Sequence, residues 1–122
     1  MQLDFDNEKP IFLQFAEELE KNILKGIFEE ESQIPSTTEI AITFKINPAT
    51  ANRGVNLLVD EGIIYKKRGI GMFVATGARE KIVAKRKGAF YDNYVLPLLK
   101  ESNNLNLKKN EVITMIERGY EK

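Results

Sequence analysis

The 122-residue sequence predicts an α+β fold: three helices and a two-stranded hairpin over residues 1–76, then a two-helix segment over 77–122. Three observations carry this. Two helix starts, Ser36-Thr37-Thr38-Glu39 and Asn47-Pro48, lie so close together that only a tight turn fits between the helices. Two β-type runs flank a basic tip, Lys67-Arg68-Gly69-Ile70-Gly71. After Gly77, apolar residues return at helical spacing with too little chain beside them to cover them.

Taken in order, Pro10 at a first-turn position opens a helix with Phe12, Phe15, Ala16, Leu19 and Ile23 on one face, and Gly26 closes it. Its other face, Glu17, Glu18, Glu20 and Lys21, is expected in water. Ser36 and Glu39 form a capping box, the Ser36 hydroxyl accepting the Glu39 amide while the Glu39 carboxylate accepts the Ser36 amide. The helix they start turns Ile40, Ala41 and Phe44 inward. Only Lys45-Ile46 separates it from Asn47, a cap, and Pro48 at the first helical position. So short a gap makes the two helices cross steeply, as in a helix-turn-helix.

The third helix, Pro48 to about Glu61, buries Ala51, Val55, Leu58 and Val59. Ala49, Asn52, Arg53 and Asn56 recur at i, i+3, i+4 and i+7 on the opposite face. That face is small, amide-bearing and cationic, the combination with which a helix enters a major groove, Asn toward adenine and Arg toward guanine. The plain alternative is a solvated helix face. Gly54 costs ~1 kcal/mol relative to Ala in a helix interior, which is expected to be offset by close packing of the second helix.

Next, Ile63-Ile64-Tyr65-Lys66 and Met72-Phe73-Val74-Ala75 predict a hairpin, with Lys67, Arg68 and Gly69 at its tip placed to reach phosphates or a minor groove. Following a helix-turn-helix, this hairpin is a wing. Thr76-Gly77-Ala78 reads as a linker. Helices are expected from about Arg79 to Glu101, kinked by Pro97, and from about Leu107 to Gly119, joined by Ser102-Asn103-Asn104. Phe90, Tyr91, Tyr94, Val95, Leu98, Leu99, Val112, Ile113, Ile116 and Tyr120 supply their apolar stripes. Two helices cannot bury both stripes, so they fold onto the first part or meet a second copy. The favoured outcome is a homodimer through Phe90, Tyr91, Tyr94, Val95, Leu98, Leu99, Ile113 and Ile116.

Composition narrows the function. With no Cys and no His there is no thiolate or imidazole to serve a catalytic or metal site, and the carboxylates are scattered along helix faces. No catalytic residue, metal or cofactor is expected. No apolar run reaches the ~20 residues of a membrane span, and the acidic start MQLDFDNE has no secretory character. A cytoplasmic protein with no membrane partner is expected. Formal net charge is zero, but it is segregated. Residues 1–35 hold nine acidic and three basic side chains. Over 62–88, Lys66, Lys67, Arg68, Arg79, Lys81, Lys85, Arg86 and Lys87 face Glu80 alone. A local positive field is what phosphates feel, although a basic run is most often only a solvated face.

These residues resemble the GntR family of bacterial transcription regulators. The resemblance runs from Pro10-Ile11-Phe12-Leu13-Gln14 through Ile34-Pro35-Ser36, Glu39-Ile40-Ala41 and Ile46-Asn47-Pro48 with Thr50 and Arg53. It continues through Glu61-Gly62-Ile63-Ile64 to Arg68-Gly69-Ile70-Gly71-Met72-Phe73-Val74. The short tail, with Leu96-Pro97-Leu98 and Glu101, is similar to the YtrA-type subgroup, whose reduced C-terminal part serves mainly dimerisation and which is often encoded beside transporter operons. The resemblance implies a recognition helix carrying Thr50, Asn52 and Arg53, and a wing tip at Gly69. It departs at Thr38 and Asn52, where relatives often carry Arg, and at Pro48-Ala49, where Arg-Asn is frequent. With fewer cations on the reading helix, the wing and the 79–87 cluster are expected to supply more of the affinity.

The expected function is therefore that of a sequence-specific regulator, a repressor binding an inverted-repeat operator on double-stranded DNA as a homodimer. Thr37, Thr38 and Lys45 would meet the backbone, and Ser36 and Asn47 belong to the same DNA-binding set. Ala49, Thr50, Asn52, Arg53 and Asn56 would meet bases or flanking phosphates, and Lys67, Arg68 and Gly69 the minor groove. The competing reading is a winged helix used for protein docking. An effector of unknown identity, where one exists, is expected between subunits near Phe90, Tyr91 and Tyr94, because the tail leaves little room for a pocket of ~300 Å3 within one.

Overall fold

A computed structural model of the chain describes residues 3–6 and 8–122; Met1, Gln2 and Asn7 of the acidic start lie outside the described residues. The chain divides into two compact units, Met1–Ala84 and Lys85–Lys122.

In the first unit, α1 (Ile11–Leu24) is followed by β1 (Gln33–Ile34), α2 (Thr37–Phe44), α3 (Pro48–Asp60), β2 (Ile64–Lys67) and β3 (Gly71–Val74). α4 (Ala78–Phe90) begins here and ends in the second unit. The fold class is the expected one, a helix-turn-helix with a wing. The hairpin gains a third strand: β1 pairs antiparallel with β3 in the order β1-β3-β2, with Ile34 opposite Met72 and Ile64 opposite Val74.

Apolar side chains from every element meet in one core, with Phe15, Leu19, Val55, Leu58, Ile63, Ile64 and Val74 essentially inaccessible. Each such side chain contributes ~1.5–3 kcal/mol relative to exposure. Ala78 and Ile82 at the start of α4 join it, also fully buried.

The expectation that Glu20 faces water is overturned, for it is 1 % exposed. The helical repeat explains this, because Glu20 stands four residues after Ala16 and three before Ile23, on the buried stripe itself. Its carboxylate is partnered, as burial of such a group requires.

Gly54 also differs from expectation. The neighbour that needs its missing side chain is α1, not α2: a Cβ there would lie 2.7 Å from Phe15 Cδ2 and 2.9 Å from the Phe12 carbonyl oxygen.

In the second unit, a π-helical turn, Tyr91–Val95, leads into α5 (Leu96–Asn104), and α6 (Lys109–Tyr120) follows. The disturbance expected from Pro97 takes this form. Pro97 has no amide to donate and its ring crowds the carbonyl four residues back, so the turn before it widens, with the Leu96 amide donating to Tyr91 O. The predicted joint at Ser102-Asn103-Asn104 is instead helical. The Ser102 hydroxyl donates to Leu99 O at 2.9 Å, and the helix closes in a turn in which Leu107 N donates to Ser102 O at 2.8 Å and Asn106 is left-handed at φ 57°. Among the described residues, no helix is long and apolar enough to cross a membrane.

Candidate nucleic-acid interface

The turn between α2 and α3 is fixed by local chemistry. The capping box is present at both ends, Glu39 N to Ser36 Oγ at 3.1 Å and Ser36 N to Glu39 Oε1 at 3.3 Å. α2 stops because Lys45 adopts φ 54°, which lets Ile46 N return to Ala41 O at 3.1 Å while the Ile46 side chain is buried. One residue later Asn47 Oδ1 accepts the Ala49 amide at 2.8 Å and Pro48 opens α3.

On α3, Ala49, Asn52 and Arg53 are exposed and Thr50 and Asn56 half-buried. Two of these side chains are held from outside the helix. The Arg53 guanidinium lies over the Phe12 ring of α1, 3.9 Å from its centroid. Lys66 Nζ on β2 donates to Asn56 Oδ1 at 2.8 Å. Thr38, Lys45 and Asn47 are exposed beside them in sequence.

At the wing tip Ile70 N donates to Lys67 O at 3.0 Å across a turn with Gly69 at φ 78°, the left-handed third position of a type II turn. Lys67 Nζ stands 4.9 Å from the Phe73 centroid and 6.0 Å from that of Tyr65, and those two rings stack at 5.6 Å. Arg68 is exposed. An open cleft of ≈ 560 Å3 brings Ser36, Thr37 and Glu39 together with Lys66, Lys67, Arg68 and Gly69. The Thr37 hydroxyl is turned toward Met72 Sδ at 4.0 Å, a weak contact.

Glu31 anchors the base of the wing. One carboxylate oxygen accepts the Tyr65 hydroxyl and the other the Thr76 hydroxyl, both at 2.6 Å. These bonds, Thr76 first, hold the Glu31 carboxyl below its ordinary value, and its presence pushes the Tyr65 phenol up. Glu30 accepts the amides of Gly77 at 3.0 Å and Arg79 at 3.1 Å, capping α4, and is lowered by them.

The 79–87 cluster was expected to add affinity for phosphates, but two of its cations serve the fold. Arg79 Nη1 donates to Leu24 O at 2.8 Å and Lys81 Nζ to Gly62 O at 3.2 Å. Leu24 O ends α1, where a cation is favourable, and Gly62 O lies just past the C-cap of α3. Sequence reading missed these uses, along with Phe12 beneath Arg53 and Gln33, whose Nε2 donates to Ile70 O at 3.2 Å.

The model describing the "Bacterial regulatory proteins, gntR family" matches residues 13–74. Over 117 residues the chain is 30% identical to the uncharacterised HTH-type transcriptional regulator YhcF of Bacillus subtilis, covering 96% of this chain and 95% of that one. It is 31% identical to the HTH-type transcriptional repressor YtrA of Bacillus subtilis, over 68% of this chain and 64% of the relative. Among solved structures, a GntR-family regulator from Bacteroides thetaiotaomicron matches with TM-score 0.73 and 35% identity, over 91% and 96% of the two chains. AraR(DBD), solved in complex with operator ORX1, matches with TM-score 0.57 and 26% identity, over 62% of this chain and 96% of that one.

A winged helix-turn-helix with an exposed polar face on its second helix defines a DNA-binding protein. The chain belongs to the GntR family of bacterial transcription regulators, which are DNA-binding proteins and not enzymes.

Proposed function

We propose that the protein is a cytoplasmic repressor that grips an inverted-repeat operator as a homodimer. α3 enters the major groove with Ala49, Thr50, Asn52, Arg53 and Asn56 toward bases or flanking phosphates. Ser36, Thr37, Thr38, Lys45 and Asn47 set the register on the backbone, and Lys67, Arg68 and Gly69 follow the adjacent minor groove. The observation that carries this reading is the Lys66–Asn56 bond, which ties the basic wing to the polar face of α3 so that both present to one duplex. The operator named with AraR(DBD) and the repressor name of YtrA support it.

The homodimer rests on the second unit, where Phe90, Tyr91, Tyr94, Leu98, Leu99, Ile113 and Ile116 are all exposed. Two-fold symmetry implies half-sites about one helical turn, or a multiple, apart. Control of a transporter operon is part of the same proposal, supported by similarity to the YtrA-type subgroup.

The test is selection of duplexes from a randomised pool, followed by salt titration of the winner. A palindrome is expected, with log affinity falling about 0.9 per phosphate contacted for each decade of salt. Removing Lys67 and Arg68 should flatten that slope. Selection of no common sequence would sink the proposal.

A further inference from the structure

The α1 helix lies behind the surface that the reading above assigns to DNA, yet one of its side chains touches that surface. Phe12 is half-buried, and its ring supports the Arg53 guanidinium at 3.9 Å. The approach depends on Gly54, the next residue of α3, because any side chain there would run into the Phe12 carbonyl oxygen and the Phe15 ring. α1 is thus drawn against α3 where the exposed cation sits.

A bare arginine at a helix surface samples many rotamers, and a base contact must select one of them, at an entropic cost. An aromatic face beneath the guanidinium favours flat orientations of its plane, through attraction of the cation to the ring and through stacking. Flat presentation is also what a bidentate contact to guanine N7 and O6 demands of the guanidinium fork.

We infer that Phe12 is a positioning residue for base recognition: it holds Arg53 in an orientation suited to reading one base pair of the operator. The inference rests on Arg53 facing the bases, as proposed above. A ring is therefore required at this position for selectivity, beyond the apolar bulk that the core requires.

The experiment uses the full chain and the duplex it selects from a randomised pool, with every single base-pair change of that duplex. Arg53→Ala is expected to erase the preference at one base pair. Phe12→Leu and Phe12→Met are expected to weaken preference at that same pair about three- to fivefold, the worth of an exposed cation–ring contact. Both should leave the other positions and binding to a scrambled duplex unchanged, and Phe12→Tyr should retain the full preference.

If Arg53→Ala removes a preference that both aliphatic variants keep, Phe12 is only packing and the inference is overturned. A uniform loss across all positions, tracking a lowered melting temperature in Phe12→Leu and Phe12→Met alike, overturns it too. If Arg53→Ala changes no preference, the assignment of Arg53 to a base fails first and separately.

Discussion

Lys66 on β2 and Asn56 on α3 are joined by a 2.8 Å hydrogen bond, so the strand that leads to the wing tip is fastened to the helix proposed to read bases. Both groups are accessible, so the bond contributes little to folding. Its expected effect is on binding geometry. Asn56→Ala and Lys66→Ala should each change unfolding free energy by less than about 1 kcal/mol. In operator affinity, a double-mutant cycle should return a coupling of about 0.5–1.5 kcal/mol. Additive losses would show that wing and helix bind independently.

Gly54→Ala separates two opposed effects. Helix propensity favours the substitution by ~1 kcal/mol. Against it, the new Cβ would stand 2.9 Å from a backbone oxygen of α1, and a backbone atom yields only if the whole helix shifts. Overpacking of this kind costs about 1–3 kcal/mol, so a net loss of up to about 2 kcal/mol is expected in denaturant unfolding. A rise in the unfolding midpoint would mean that α1 is free to retreat.

The two lowered carboxyls give the first unit an acid limit. Glu30 and Glu31 bind their protons less readily folded than unfolded, so their contribution is fully present above the ordinary value of 4.5 and is lost as pH falls through the folded values. Tyr65 is raised, so its contribution is present below the ordinary value of 10.0 and fades as pH rises past it. Thermal melts across the acid range should therefore fall less steeply for Glu31→Gln than for the unaltered chain. Equal acid slopes would remove Glu31 from the set of groups that titrate with folding.

What the sequence made legible was local. Ser36 and Glu39, and Asn47 and Pro48, act on backbone groups within three residues, so their residue types alone place the helix starts. Gly69 could be read the same way, from turn chemistry. What escaped was produced by contacts between distant segments. β1 exists only because Gln33 and Ile34 lie against β3. Arg79 and Lys81 look like phosphate ligands until Leu24 O and Gly62 O are seen beside them. Glu20 escaped for another reason: its charge points to solvent while its place in the helical period, between Ala16 and Ile23, points inside.

The second unit leads to the last prediction. Its helices bury Val112 and Ser102, while Tyr94 remains 66% exposed and Ile113 and Ile116 stay open to solvent. The Phe90 and Tyr94 rings, 5.4 Å apart, add to the exposed apolar surface. Apolar exposure on this scale in a small helical unit marks an interaction surface, and a second copy provides a self-complementary partner without a further component. Sedimentation should therefore give twice the 13.9 kDa chain mass. Tyr94→Glu with Ile116→Glu, at positions that contribute little to the protomer's own core, should give single chains and weaken operator binding by at least tenfold, because one half-site is then held alone. A monomer in the unaltered chain, or an unchanged dimer in the double variant, would move the interface elsewhere.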